Sequence, residues 1–208
     1  MPSAASTTSA PAVHDDPSTP LSSEAPVQLH VTVVLGGARS GKSSYAVQLG
    51  QRAAASGRAV VFIATSPRIP GDDDLDARIA SHRSERPSTW VTIEEEVDLP
   101  SVVGRVEPSA LVIVDCVTVW VSNLMHRDAS EFEVLDAADH VLVALRDRSG
   151  PSLLISNEVG MGIVPMNLLA RSYRDVLGRV NQRFVGASDK ALLMVAGRAL
   201  PLVDVETA

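Results

Sequence analysis

Aromatic side chains make up only 3% of this 208-residue chain, against 45% hydrophobic residues overall, so Val, Leu, Ile and Ala must build any core. Cysteine is nearly missing as well. Cys116 is the single one, which excludes an internal disulfide and agrees with a reducing compartment. No apolar run is long enough to span a bilayer. Positive charge is in deficit, and a net charge of -7 argues against a general nucleic-acid binder, whose surface would be basic. Local basic clusters can still hold an anionic small ligand. Residues 1–28 are rich in Ser, Thr, Ala and Pro with almost no large apolar residue. Such a segment buries too little surface to offset its ordering entropy, and it lacks the basic-then-apolar pattern of a signal peptide. The expectation is a disordered tail over 1–28 and a single soluble, cytoplasmic α/β domain over 29–208, with no membrane and no nucleic acid among its partners.

What is present is an alternation of short β-branched runs with helix-like segments. "HVTVVL" (30–35), "AVVFIAT" (59–65), "ALVIVD" (110–115), "SLLIS" (152–156) and "ALLMVA" (191–196) are nearly continuous apolar runs, the pattern of strands buried on both faces of a parallel sheet. "WVTIEE" (90–95) alternates instead and reads as an edge strand or a strand-like connection. Helices are expected over 42–56, 73–85, 116–126, 131–148 and 166–184. The last carries Leu169, Tyr173, Val176 or Leu177, Val180 and Phe184 at helical spacing, giving one apolar face. There is no internal repeat. The fold class is a three-layer α/β domain with a mostly parallel sheet, and ligands belong at the carboxyl ends of its strands.

"GGARSGKS", residues 36–43, fits the pattern G-x-x-x-x-G-K-[ST] between an expected strand and an expected helix, which is the context that motif demands. The glycines let backbone N–H groups curl around phosphate oxygens, and the helix N-terminus adds favourable potential for the anion. Gly36, Gly37, Ala38, Arg39, Ser40, Gly41, Lys42 and Ser43 are therefore the candidate phosphate cradle. Lys42 is expected on the β- and γ-phosphates and the Ser43 hydroxyl on Mg²⁺. Asp115 ends an apolar strand, where such folds place a carboxylate for Mg²⁺; capping of the following helix is the other reading. No N-K-x-D segment for reading guanine exists, and "DVLG" (175–178), which fits a D-x-x-G switch pattern, falls inside an expected helix. A signalling GTPase is thereby disfavoured.

Between these landmarks lies "ARIASHRSERPSTW" (77–90). On a helix, Arg78 and His82 share a face and Arg86 lies near it. A neutral imidazole is a competent nucleophile toward phosphorus, and flanking guanidinium groups would hold the phosphate and disfavour imidazolium. That spacing suits a phosphoramidate intermediate on His82. A solvated histidine on a charged helix is the commoner arrangement, and the chemistry alone leaves both open.

"VVLGGARSGKSSYA", "FIATS", "ARIASHRSERPSTWVTIEE", "VIVDCVTVWVSNLM" and "SNEVGMGIVPMNLLARSYRDVLGRVNQ" occur in this order. Together they resemble the bifunctional adenosylcobinamide kinase/adenosylcobinamide-phosphate guanylyltransferase family of cobalamin biosynthesis, from about residue 31 to about residue 200. The resemblance implies a RecA-like nucleoside-triphosphate-binding fold and two reactions. ATP or GTP phosphorylates the aminopropanol hydroxyl of adenosylcobinamide, and GTP then donates GMP to adenosylcobinamide phosphate through a GMP–histidine, leaving pyrophosphate. It places that histidine at His82. It also implies nucleotide contacts at Ala64, Thr65 and Ser66, at Arg83, Ser84, Glu85 and Arg86, and at Glu94. Asp115 stands where some members have Glu, which keeps the carboxylate but alters its reach. Threefold-symmetric trimers are implied too, so "NEVGMGIVP" would face a neighbour or the corrinoid, with Asn157 and Glu158 at a strand end within reach of the active site; a plain structural turn fits those residues equally. Arg171, Arg174, Arg179 and Arg183 read as a solvated helix face. The rival from another class is a RecA-like switch or assembly ATPase, which would leave no nucleotide on the protein.

Overall fold

The computed structural model describes residues 31–68, 71, 77, 79, 80 and 83–205. Seven strands form one sheet: β1 (Val31–Gly36), β2 (Val60–Ala64), β3 (Val91–Glu94), β4 (Leu111–Asp115), β5 (Ser152–Ile155), β6 (Lys190–Val195) and β7 (Arg198–Leu202). Their order across the sheet is β3-β2-β4-β5-β1-β6-β7. Every pairing is parallel except that of β6 with β7. The helices are α1 (Lys42–Ala55), α2 (Leu99–Arg105), α3 (Val117–His126), α4 (Glu131–Arg146) and α5 (Leu168–Ala187). The strand bearing the phosphate loop is thus separated from the strand bearing Asp115 by β5 alone, and both end at the same edge of the sheet.

The apolar runs form central strands because both of their faces are covered. Val33, Val61, Ile63, Val112 and Val114 point into a core shared with α2, α3, α4 and α5, where Trp120 and Phe184 are fully buried. Their sequence neighbours Val34, Val60, Phe62, Leu111 and Ile113 point to the opposite face, against Ala46 of α1 and Trp90. The period-two alternation of a strand therefore splits one continuous hydrophobic run between two cores. Gly50 on α1 abuts the Trp90 indole, and a Cβ built there would clash with the ring.

Helix ends agree with their capping residues. Ser130 and Glu133 form a reciprocal capping box on α4, and Asn167 Oδ1 accepts from Leu169 and Ala170 N–H at the start of α5. Arg148, 5% exposed, closes the far end of the sheet. Its guanidinium donates to the carbonyls of Val103, Val106, Glu107 and Ala110.

Several expected boundaries shift. The helix expected over 166–184 starts and ends later, that over 131–148 ends at Arg146, and 90–95 is the edge strand β3. Of the helix expected over 73–85, Ala77, Ile79, Ala80, Arg83 and Ser84 are described and helical. Two elements were not expected. Helix α2 is short, entered through Asp98, whose carboxylate accepts from Ser101 N–H. Strand β7 carries Pro201, tolerated because β7 is an edge. The "DVLG" tetrad lies within α5, so it is no switch loop. No helix among the described residues is long and apolar enough to cross a membrane.

Candidate active site

The phosphate loop is set by two glycines whose neighbours leave no room for a side chain. Gly36 has φ 154 and a Cβ there would lie 2.5 Å from Met194 O; Gly41 has φ 100 and a Cβ would lie 3.1 Å from Gly197 Cα. Both contacts come from the β6–β7 hairpin, whose Gly197 N–H also donates to Ser40 O at 2.9 Å. The turn of that hairpin, Ala196 and Gly197, has positive φ at both residues, as a tight two-residue hairpin requires. The hairpin thus supports the loop from behind.

Lys42 opens α1 and is 7% exposed. Its ammonium donates to Gly36 O at 2.9 Å and Gly37 O at 2.7 Å, with Ser40 Oγ at 3.4 Å. Burial lowers its pKa, opposed by the nearby Cys116 and Asp115. Ser43, one residue on, turns toward β4, where its hydroxyl donates to Asp115 Oδ2 at 3.2 Å. The N-cap of α3 is Cys116, without a side-chain cap bond, so Asp115 reaches the phosphate loop rather than capping its helix. A hydroxyl and a carboxylate oxygen side by side suit Mg²⁺, a hard cation that takes few protein oxygens and completes its shell with phosphate and water. Among the described residues no cluster of three or more His, Cys, Asp or Glu could hold a metal, so any ion here would depend on substrate oxygens.

Beyond Ser43 and Asp115 opens a cavity of about 220 Å³, lined also by Phe62, Ala64, Ser66, Arg68, Ile79, Arg83, Arg86, Glu94, Cys116 and Val119. Phe62, Ala64 and Ser66 come from the end of β2 and Glu94 from the end of β3, so the cavity sits at the carboxyl edge of the sheet as expected. Glu94 accepts a two-pronged interaction from Arg68, at 2.8 and 3.3 Å, and Arg83 lies 3.8 Å from the same carboxylate. The Arg68 hydrogen bond is the main cause of a lowered Glu94 pKa. The Arg86 guanidinium stacks over the Phe62 ring, 4.1 Å from its centroid. The Cys116 thiol is pushed up to about 11, mostly by burial and then by Asp115, so it stays neutral.

The structure therefore brings Ser43, Ala64, Ser66, Arg83, Arg86, Glu94 and Asp115 to one cavity. Gly37, Ala38 and Arg39 form the exposed crest of the loop, while Ser40 is buried beneath it. Thr65 points away: its hydroxyl donates to Cys116 O at 2.8 Å and accepts from Cys116 N–H at 2.9 Å, tying β2 to β4. Ser84 and Glu85 are outside the lining. His82 and Arg78 lie outside the described residues. Arg68 and Phe62 belong to no sequence motif; Phe62 is placed by the pairing of β2 with β3, and Arg68 by its bonds to Glu94 at the end of β3.

Asn157 and Glu158 serve the scaffold. Glu158 N–H donates to Gly36 O at 3.1 Å. Asn157 N–H donates to Thr118 Oγ1 at 2.6 Å, and its carbonyl accepts from Asn181 Nδ2 at 3.0 Å. Asn181 Oδ1 accepts from Ser156 Oγ at 2.7 Å, completing a buried network behind the loop. The α5 arginines are engaged with their own chain. Arg171 donates to Pro165 O and Met166 O, and Arg174 pairs with Asp175. Arg179 and Arg183 tie α5 to Glu131 and Asp139 of α4.

A family model described as cobinamide kinase / cobinamide phosphate guanyltransferase matches residues 32–202. Over 172 residues the chain is 39% identical to the bifunctional adenosylcobalamin biosynthesis protein CobP of Pseudomonas aeruginosa, covering 82% of this chain and 95% of that one. It is 38% identical to CobU of Escherichia coli and 37% identical to CobU of Salmonella typhimurium, each over 178 residues, 79% of this chain and 95% of theirs. A solved structure of the flagellar accessory protein FlaH from Methanocaldococcus jannaschii matches with a TM-score of 0.49 and 13% identity, covering 84% of this chain and 79% of that one.

Proposed function

Because the chain belongs to the cobinamide kinase / cobinamide phosphate guanyltransferase family, we propose that it performs both transfers at one site. The first passes the γ-phosphoryl group of ATP or GTP to the aminopropanol hydroxyl of adenosylcobinamide. The second passes GMP from GTP to the new phosphate, giving adenosylcobinamide-GDP and pyrophosphate. The observation that carries this reading is a juxtaposition. Ser43 and Asp115 share their cavity with Arg83, the residue after His82 in the chain, and with Arg86, one helical turn's length beyond it in sequence.

In the kinase step the loop N–H groups and Lys42 bind the β- and γ-phosphates, and charge on the transferring group is spread over these donors. Ser43 and Asp115 would hold Mg²⁺, which when bound offsets phosphate charge. In the guanylyl step an imidazole nitrogen of His82 attacks the α-phosphorus. The bond from that phosphorus to the bridging oxygen breaks, and pyrophosphate leaves with the electron pair. A phosphate oxygen of the acceptor then displaces the imidazole. Arg83 and Arg86 offset the charge that builds on the phosphates, and Arg86 is held for this by its stack on Phe62. Glu94 keeps Arg68 and Arg83 at the cavity wall.

The trimer implied by the family resemblance would cover the exposed apolar run of Met161, Ile163, Val164, Met166 and Leu168, a patch of the kind that marks a protein contact. The test of function is direct. The full chain, incubated with adenosylcobinamide, GTP and Mg²⁺, should yield both the phosphate and the GDP derivative by mass spectrometry. GTP hydrolysis with neither product would favour a nucleotide-driven switch.

A further inference from the structure

A trough leads out of the nucleotide cavity along α3. Its first section, about 570 Å³, shares Ser66 and Val119 with the cavity and continues past Glu96, Asn123, His126 and Tyr173. A second section, about 230 Å³, shares Ser122, His126 and Tyr173 with the first and ends at Asn167, Leu169 and Ala170 at the start of α5. The spine of the trough is α3 itself, ten residues long and so about 15 Å from end to end. One end of that helix adjoins Asp115 and the other carries His126.

The lining chemistry is specific. Arg127 is neutralised by Glu96 at 2.9 Å, so the trough offers no net positive charge to a polyanion. It offers hydrogen-bonding atoms instead. His126 Nδ1–H donates to Ser122 O at 2.8 Å, which leaves Nε2 as the acceptor of the neutral ring. Tyr173 OH donates to Thr118 O at 3.0 Å and keeps its oxygen lone pairs. Asn123 Nδ2 donates to Thr65 O and Glu96 O, leaving Oδ1 to accept. Val119, Met125 and Leu169 supply apolar floor between these groups.

Resting on the proposed function, we infer that this trough is the acceptor site: it seats the amide-bearing macrocycle of the corrinoid, while the hydroxyl-bearing arm passes Ser66 and Val119 to the phosphates. The nucleotide cavity is too small to take such a ring beside a nucleotide. The trough is continuous with it, and hydrogen-bond acceptors beside apolar side chains, with its one Arg–Glu pair neutralised, match the N–H groups of amide side chains on a wide ring. Ser122, His126 and Tyr173, common to both sections, set the position of the ring.

The test is equilibrium dialysis of adenosylcobinamide and, separately, of GTP against the full chain, with Ser122→Trp and His126→Trp beside wild type. Both substitutions fill the trough, and His126 sits at an exposed helix end where bulk does not threaten the fold. Acceptor Kd is expected to rise at least about tenfold in both, with GTP Kd unchanged within about twofold. Should Ser122→Trp fail to fold by circular dichroism, His126→Trp decides alone. Wild-type acceptor affinity in the folded variants overturns the trough and leaves the proposed function standing. Wild-type protein that binds GTP but no cobinamide overturns both. A loss of acceptor binding that accompanies a changed sedimentation coefficient assigns the trough to a second copy of the chain and overturns the inference.

Discussion

Ser43 and Asp115 are 72 positions apart in sequence, yet the serine hydroxyl donates to the aspartate Oδ2 at 3.2 Å. This contact joins the phosphate loop to the end of β4 across β5, and in the proposed function the two oxygens would hold one ion. Ser43→Ala and Asp115→Asn are each expected to lower turnover by about 10²-fold or more. The double variant should lose little beyond the worse single one, because residues that serve one ion are not additive. Steady-state kinetics across a Mg²⁺ titration checks this; multiplicative losses would mean the two oxygens act separately.

Cys116 lines the same cavity, but its thiol is pushed up to about 11 by burial and by Asp115. The thiolate is the reactive form, so alkylation by iodoacetamide at pH 8 should run roughly a hundredfold slower than for an ordinary exposed cysteine. The rate should keep climbing with pH well past 9. A plateau near pH 9 would place the thiol in a different environment.

The Glu94 carboxyl is held below its usual range, first by the Arg68 hydrogen bond. Its folded value lies below its unfolded value, so the stabilisation is present above the ordinary carboxylate pKa and is lost as pH falls through the folded value. Both side chains are well exposed, at 59% and 45%, which limits the effect to about 1 kcal/mol or less. Arg68→Ala should therefore melt slightly below wild type at pH 7, with the gap closing in acid and shrinking in salt. A gap independent of pH would assign the role of Arg68 to packing.

Arg148 is a structural residue of a different kind. Its guanidinium donates to four carbonyls at the far end of the sheet; Val103 O and Glu107 O also accept from the N–H groups of Val106 and Ala110, so Val106 O and Ala110 O rest on Arg148. Arg148→Met would leave buried acceptors unsatisfied and should cost about 2–4 kcal/mol by urea unfolding. Arg148→Lys should recover only part of this, because an ammonium cannot reproduce the planar fork. Full rescue by lysine would show that charge alone matters there.

The sequence disclosed the elements whose pattern is dictated locally. The five apolar runs became the central strands because each side of them is buried, and "GGARSGKS" formed its loop because Gly36 and Gly41 sit where no side chain fits. The unread parts depend on partners distant in sequence. Strand β7 is wholly exposed and carries Pro201, so neither periodicity nor propensity announces it; only pairing with β6 makes it a strand. Helix α2 is seven residues long, too short for its stripe of Leu99, Val102 and Val103 to stand out. Arg68 and Phe62 joined the candidate site through β2–β3 pairing and the stacking of Arg86, neither of which leaves a motif. The hydroxyl of Thr65 is held by the Cys116 backbone, a cross-strand tie that spacing along one strand does not reveal.

The central claim is that GMP passes through His82. Purified full-length protein incubated with Mg²⁺ and GTP labelled at the α-phosphate, beside His82→Ala and a γ-labelled control, tests it most directly. The account predicts α label retained on the protein, released by acid, stable in base, absent from His82→Ala and absent with γ label. Folded, GTP-binding wild-type protein that retains no α label would contradict it.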